Sequence, residues 1–407
     1  MRSLVPVAGA KTQALALLIA LGALTSHAAA QAVRCPNSEV PMEVATRRVA
    51  QVTDPSRDCN KIIEQASHGI AVQSGVVTVA TTSFTGALLD RLDTLSGQAA
   101  TAGILVTGAT DGLMGLGASG KIRPQHIAPN GAASPLSIYT MGTFGGGHRS
   151  DLPDMVGFNY ESTSGAIGIE YRVNRNLIVG LAGNYTTADA TLTNSASVDV
   201  KAVQAAAYLS YATKVWFVDA LVGYGRHDLD MARPDSGQVL RSSPDGNVLA
   251  AAVRGAYLFD LGGVRVGPMA GLTFVRSHLE GYTEAGNLQL ALTVASQTVD
   301  TATASAGVRL LAPFVAGGKV VVPYLNVTLE HELGERARTL SASFAVQPQQ
   351  PVFSAVPNFH TPTYGKVEGG VTFQLDDSLS ATVGAASTFA REEGYDYRIT
   401  AGLSYKF

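Results

Sequence analysis

The residues that could do chemistry are few and scattered. His227-Asp228 and His148 carry the imidazole and carboxylate groups used in general acid–base work, but nothing in the sequence fixes a nucleophile beside them. No Gly-x-Ser-x-Gly turn and no Gly-Asp-Ser-Leu block occurs. Glu330-His331-Glu332 brings three metal-ligating side chains together, yet on a strand the alternation sends His331 to the opposite face from the two carboxylates, so they cannot share an ion. Gly145 to Gly147 and Gly262-Gly263 are turn or close-approach positions and not phosphate cradles, because no helix follows them. Cys35 and Cys59 are the only two cysteines. Alone they would leave a tetrahedral metal site half empty, so a disulfide is the expected state wherever the chain meets an oxidising compartment. No catalytic residue, metal or cofactor is expected.

The elements around these residues say more. Arg2 and Lys11, the apolar stretch Ala14 to Leu24 and the small residues Ala28-Ala29-Ala30 read as an export signal over residues 1–30, removed before Gln31. Beyond it, no uninterrupted apolar run approaches the roughly 18 residues of a membrane helix. Charged residues make up only 15% of the 407, and 29 basic against 32 acidic residues leave no basic footprint for nucleic acid. Residues 31–80 form a short region with helices expected at Glu39 to Thr53 and Asp58 to Gln73, stapled through Cys35 and Cys59. Within 81–135, Ser83 to Ser96 places Phe84, Leu88, Leu92 and Leu95 on one side at helical spacing, with Ser83 as cap and Gly97 as stop. Residues 99–134 are rich in Ala, Gly, Thr and Ser and read as a connector.

From residue 136 to 407 the period changes to two. Tyr397, Ile399, Ala401, Leu403, Tyr405 and Phe407 alternate with Arg398, Thr400, Gly402, Ser404 and Lys406, so one face is apolar and the other polar. Twelve such runs occur: 136–147, 163–173, 177–188, 198–212, 215–228, 247–260, 264–279, 300–313, 319–333, 363–375, 379–390 and 395–407. Tight connections alternate with the longer ones 148–162, 189–197, 229–246, 280–299 and 334–362, while the last, near Glu392 to Gly394, is short. Outer-membrane barrels connect strands in this way. A soluble sandwich also alternates, but its strands average about 5–6 residues, and the apolar set here ends in aromatics such as Tyr171, Tyr211 and Tyr257. The expected fold is all-β: a 12-stranded antiparallel transmembrane barrel, closed because lipid leaves no backbone group unpaired. Glu170, Arg172, Arg254, Arg309, Glu330, Lys366, Glu368 and Arg398 fall on its inward positions.

Gly168 to Tyr185, Val266 to Glu284, Val322 to Phe344 and the ending AGLSYKF together resemble the β-domain of autotransporters, the type V secretion proteins of Gram-negative bacteria. The resemblance implies a twelve-stranded outer-membrane barrel, a helix through its lumen and a passenger ahead of the helix that crosses to the cell surface. It also implies that a terminal aromatic strand, here Tyr405 and Phe407, is read by the barrel-assembly machinery. Ser83 to Ser96 resembles the lumenal helix, with Asp90, Arg91 and Asp93 facing the charged wall. The chain departs from the family in its passenger, which is short, and in lacking an Asn-Asn pair near the helix. Three functions follow: display of the short N-terminal region at the surface; a stand-alone surface barrel whose loops bind host or neighbouring-cell ligands; and a rim enzyme using His227 or His148, the least supported. Outer-membrane lipids and the assembly machinery are the expected partners, and the barrel is expected to be monomeric.

Overall fold

The computed structural model describes residues 59–101, 135–358 and 361–407. Twelve strands form the wall: β1 (Leu136–Arg149), β2 (Phe158–Arg172), β3 (Leu177–Leu192), β4 (Ser197–Ala212), β5 (Trp216–Asp235), β6 (Asp245–Tyr257), β7 (Arg265–Leu279), β8 (Gln297–Leu311), β9 (Lys319–Glu332), β10 (Thr363–Gln374), β11 (Leu379–Phe389) and β12 (Gly394–Lys406). Each pairs antiparallel with its neighbours in sequence, and β1 closes the ring on β12 from Ser137↔Lys406 to Arg149↔Gly394. Closure leaves no free edge, which is the condition for spanning hydrocarbon.

Alternation sets the two faces. Ile167, Leu181, Val203, Val222, Leu329 and Leu403 are exposed on the outside, while their neighbours along each strand are buried, as in the strict alternation of β2 and β4. Outward aromatics gather near one end, where Tyr211 stacks on Trp216 at 5.2 Å and Tyr405 meets Phe407 edge-on at 5.2 Å. Inside, Tyr139 and Tyr208 lie flat over Gly168 and Gly180 of the adjacent strands, where any Cβ would come within 2.4 and 2.3 Å of the rings.

The two ends differ in construction. At the turn end the connections are tight, and three of them share one device. Asn174 Oδ1 accepts the N–H of Asn176 and Leu177 at 2.8 and 2.9 Å, and Asp376 Oδ1 accepts those of Ser378 and Leu379 at 2.8 and 2.7 Å. Between β6 and β7, Asp260 does the same for Gly262 and Gly263, whose φ of 80° and 104° suit glycine. At the loop end, four short strands, Tyr282–Thr283, Leu292–Val294, Ala337–Phe344 and Val352–Pro357, form a separate antiparallel cap sheet.

Several strands begin earlier or end later than the sequence pattern predicts. β2 starts at Phe158 rather than 163, and β3 and β4 meet through Thr193 to Ala196 alone, so about half of the expected loops 148–162 and 189–197 becomes wall. Above the apolar band the outward positions turn polar, with Glu161, Asp189, Asp199 and Asp230 directly opposed across β2 to β5. The hydrophobic alternation ends there while the hydrogen-bond ladder continues.

The largest difference concerns the helix. A single α-helix, α1 (Cys59–Thr101, 43 residues), runs without interruption through the ring. Ser83 is therefore not a cap but a mid-helix residue, its Oγ 3.5 Å from Ser162 Oγ. Gly97 does not end the helix; it sits where a Cβ would touch Val322 and Leu311 at 3.4 and 3.5 Å. Of the separately expected helix Asp58 to Gln73, residues 59–73 are the first part of the same element, which crosses the 80/81 boundary drawn from sequence. At 1.5 Å per residue α1 is about 65 Å long, against an apolar band of roughly 25 Å. Its stretch Ala66–Gly97 is by length and composition apolar enough to cross a bilayer, yet it is largely buried within the barrel. The first residues of the expected connector 99–134 are the end of α1; the export signal 1–30, Cys35, the expected helix Glu39 to Thr53 and residues 102–134 lie outside the described residues, as does the side chain of Cys59.

Candidate functional site

The candidate site is the lumen, where α1 meets the wall. Asp90, Arg91 and Asp93 lie close together on a helix that turns about 100° per residue, so Asp90 and Asp93 share one face, Arg91 points to another, and each finds its own wall partners. Asp90 accepts from Arg398 Nη2 at 3.0 Å and from Thr400 Oγ1 at 3.1 Å on β12. Arg91 forks onto Glu170 of β2, with Nε at 2.8 Å from Oε1 and Nη2 at 2.6 Å from Oε2, and reaches Ser404 at 2.9 Å. Two donors in fixed geometry make this the strong form of the pair. Asp93 takes Arg254 of β6 at 3.1 Å, Asn326 of β9 at 3.1 Å, and Arg309 of β8. Arg309 is fully buried, its guanidinium 4.8 Å from the centre of the Phe217 ring and 5.5 Å from that of Tyr324.

Five of the eight inward charges expected from sequence thus belong to one network: Arg254, Arg309 and Arg398 contact helix carboxylates directly, and Glu368 links Lys366 (2.8 Å), Arg398 (3.5 Å) and Arg254 (3.7 Å), while Glu170 pairs separately with Arg91. Glu330 faces the lumen but takes its hydrogen bond from Thr328 at 2.6 Å, and Arg172 stands at the turn-end mouth, apart from the network. The sequence reading missed Asp219, which accepts from Ser210 at 2.7 Å and Arg254 at 3.3 Å. It shares the inward parity of Phe217 and Leu221, and those apolar neighbours hid it. Asp90, Asp93 and Glu368 bring carboxylate oxygens within 4.8 Å of one another, as a metal site would. Here the surrounding arginines and Lys366 supply the countercharge.

The apolar stripe meets the other part of the wall. Phe84, Leu88, Leu92 and Leu95 pack on Tyr139, Met141, Ala166, Ala182, Ala206 and Leu221 of β1 to β5. Alanines there leave room for the leucines. Higher up, Val72, Val76, Val77 and Ala80 pack on Ala188, Ala190, Val198, Val200 and Leu229. At the loop end Ile63 and Ile70 share a core with Leu292, Leu340, Phe344 and Val356 of the cap sheet. Arg338 of that sheet donates to the Ala71 carbonyl at 3.2 Å and to Asn358 at 2.6 Å; burial pushes its guanidinium down to about 10.

The rim residues do not assemble. His227 is buried with neither ring nitrogen hydrogen-bonded, and His148 Nδ1 pairs with Asn159 at 2.8 Å. His331 bonds Thr363 at 2.7 Å on the outer face, while Glu332 binds Thr303 and Tyr364 on the inner. Phe407 is 53% exposed at the turn end, and its N–H reaches the Leu136 carbonyl at 3.2 Å across the seam.

A family model, the autotransporter β-domain, matches residues 138–386. Among solved structures, the fold is similar to the translocator domain of autotransporter NalP from Neisseria meningitidis, with a TM-score of 0.55 at 14% identity over 67% of this chain and 89% of that one. The β-domain of the Bordetella autotransporter Brka matches with a TM-score of 0.52 at 17% identity, over 67% and 100% of the two chains. The transport unit of the autotransporter AIDA-I from Escherichia coli gives 0.51 at 11% identity, over 76% and 99%. No curated protein matches. The family match covers well over half of the chain, and by it, with a closed twelve-stranded ring built around a helix, the chain belongs to the autotransporter β-domain family.

Proposed function

We propose that this outer-membrane barrel carries its own N-terminal segment to the cell surface. The observation that supports the reading is the direction of α1. Its C-terminal end, near Gly97, lies beside Leu311 and Val322 at the turn end, where β1 starts and Phe407 ends; Ile63 and Ile70 lie under the cap sheet at the loop end. The chain ahead of Cys59 therefore starts from the loop end. Because residues 59–80 belong to the helix, the carried segment is 31–58 rather than 31–80. In this reading the turn end faces the periplasm, the export signal delivers the chain there, and the assembly machinery inserts the barrel as a monomer.

The test is an epitope inserted within 31–58 and probed with antibody on intact cells. Labelling without permeabilisation supports display; labelling only after the outer membrane is opened removes it. Deleting Phe407 tests the assembly signal separately. Burial of one Phe contributes only about 1.5–3 kcal/mol, so a strong loss of outer-membrane protein would mark recognition rather than stability, and unchanged levels would place the signal elsewhere. A second reading, a surface barrel whose loops bind a ligand, is favoured by the cap sheet, which exposes 68% of Phe353. Intact-cell binding that survives deletion of 31–58 but not of the cap loops would select it.

A further inference from the structure

His148 does not join His227, but it has partners of its own. It stands at the loop end of β1, on the outward parity of Phe144, directly opposite Asn159 of β2. Its Nδ1 lies 2.8 Å from Asn159 Oδ1. A carbonyl oxygen only accepts, so Nδ1 carries the proton and the lone pair is left on Nε2. Ser150 Oγ stands 3.5 Å from that Nε2. A hydroxyl, an imidazole and an orienting amide thus follow one another in the order of nucleophile, base and orienter. The hydroxyl is further from the ring than the roughly 2.6–3.2 Å of proton transfer, as is common before substrate seats. Strand parity could not place Ser150, because it lies in the turn just past the strand end.

That turn is well tied. The Ser150 N–H donates to the Glu393 carbonyl at 2.8 Å, and Leu152 and Met155 exchange backbone hydrogen bonds. Asp151 Oδ1 accepts from the Gly157 N–H at 2.7 Å and from Thr193 Oγ1 at 2.6 Å. A nucleophile held in this way keeps its place relative to its base. The position of the group points to its substrate. From Leu136 to His148 the strand runs about 40 Å, or about 30 Å of height at a 40° tilt. The group therefore sits just beyond an apolar band of roughly 25 Å, where the ester linkages of lipids meet the outer wall. Tyr395 flanks it, with its ring 6.3 Å from that of His148. Lower on the same face, Gly142 and Gly165 oppose each other with open space before them. Exposed Phe144, Ile167 and Ile399 border this shallow apolar groove, which suits an acyl chain.

We propose that Ser150, His148 and Asn159 form an esterase site on the outer wall, which cleaves a fatty-acyl ester of a lipid in the leaflet at the loop end. Ser150 Oγ attacks the ester carbonyl carbon while His148 Nε2 takes its proton. The bond from that carbon to the lipid alcohol oxygen breaks, and His148 gives the proton to that oxygen as the lysolipid leaves. Water then attacks the acyl–serine carbonyl and passes a proton to His148, which returns it to Ser150 Oγ as the fatty acid departs. Asn159 is a positioning residue that holds the ring and its tautomer. The site needs the barrel in a membrane but not the display of residues 31–58, so failure of either leaves the other standing.

The experiment measures fatty acid released by the purified full chain in mixed micelles of detergent and acyl-labelled phosphatidylethanolamine, with lipopolysaccharide in a second arm. Heat-modifiable gel mobility shows that each variant is a closed barrel. The intact protein should release fatty acid, and the arm that yields it identifies the source of the ester. Ser150→Ala and His148→Ala should each lower the rate by about a hundredfold or more. A fluorophosphonate should label the intact protein and not Ser150→Ala. Asn159→Ala should lower kcat with KM unchanged. Asn159→Asp should restore part of the rate and move the acid limb of its pH profile upward, because a carboxylate beside the ring favours its charged form. A merely structural residue would not move that limb. His331→Ala, an outer-face histidine bonded to Thr363, should leave the rate as in the intact protein. No release from either lipid, an undiminished rate in folded Ser150→Ala, or an equal loss in His331→Ala would overturn the proposal. Absence of fluorophosphonate label on the intact protein would do so without any variant.

Discussion

The β1 to β5 side of the lumen and the β8 to β12 side hold the same helix by different physics. On the first, apart from the Arg91–Glu170 pair, leucines of α1 sit among alanines, and stabilisation scales with apolar area removed from water. On the second, carboxylates meet guanidiniums that the strands have already desolvated. Such pairs contribute little net stability but are costly to break from one side. The difference teaches that the apolar contacts supply adhesion, whereas the charges fix rotation and depth. A leucine can slide one position along an alanine wall; Asp93 cannot leave without stranding Arg309, whose hydrogen-bond partners are all on the helix, and weakening the hold on Arg254 and Asn326.

The comparison can be broken most directly by removing what the two sides share. Deleting residues 59–101 should open the lumen, raising bilayer conductance far above the intact level and lowering the temperature at which the folded band converts to the unfolded one. Equal conductance with and without the helix would mean that neither side holds it in the membrane-inserted protein.

Single substitutions then weigh the sides. Asp93→Ala leaves buried guanidiniums uncompensated and should cost about 3–5 kcal/mol, read as the loss of heat-modifiable stability. Leu92→Ala, on the apolar side, should cost about 2–5 kcal/mol, toward the lower end if the alanine wall relaxes inward. A larger loss in Leu92→Ala than in Asp93→Ala would reverse the assignment of rotation and depth to the charges. The smallest effect compares turns. Asn174 and Asp376 close equivalent hairpins on the two sides, but only Asp376 titrates, its carboxyl held below the ordinary 3.8 by the N–H groups of Ser378 and Leu379. A depressed folded value contributes stability above about pH 4 that is lost as pH falls through it. Asp376→Asn should therefore be slightly less stable than the native chain at pH 7, with the gap closing as pH falls through the depressed range of the Asp376 carboxyl, while Asn174→Ala should show a pH-independent loss. A gap for Asp376→Asn that does not narrow as the pH is lowered would show that the charge is not what the turn uses.

Much of the wall was legible because strand parity is a local property: Glu170, Arg254, Arg309, Glu368 and Arg398 could be assigned inward from their neighbours alone. So could the three helix charges and the stripe Phe84, Leu88, Leu92. The first half of α1 was not legible as one helix. Val72, Val76, Val77 and Thr78 are β-branched, and Gly69 and Gly75 weaken a helix. A helix inside a ring is also surrounded, so no polar face marks its period. What makes the segment workable appears only in three dimensions: Ser67, Thr78, Thr81 and Thr94 return their hydroxyls to carbonyls one turn back, at 2.7 to 3.2 Å. The cap sheet was hidden for a different reason. Its strands come from two loops far apart in sequence, and its core includes Ile63 and Ile70 of the helix, so no one segment carries its pattern.

The belt of charges around Asp90 and Asp93 has a consequence for the order in which the molecule is made. On the wall, Arg254, Arg309, Lys366 and Arg398 outnumber Asp219, Glu170 and Glu368; on the helix, Asp90 and Asp93 outnumber Arg91. Each part carries the excess that the other lacks, so α1 is the counter-ion of its own pore. A ring closing without it would enclose unbalanced positive charge at mid-membrane, where water is the sole other solvent for it. Closure of the strands around an already threaded helix avoids that state, and a mutant wall neutral by itself, such as Arg398→Gln, would no longer distinguish an occupied lumen from a vacant one.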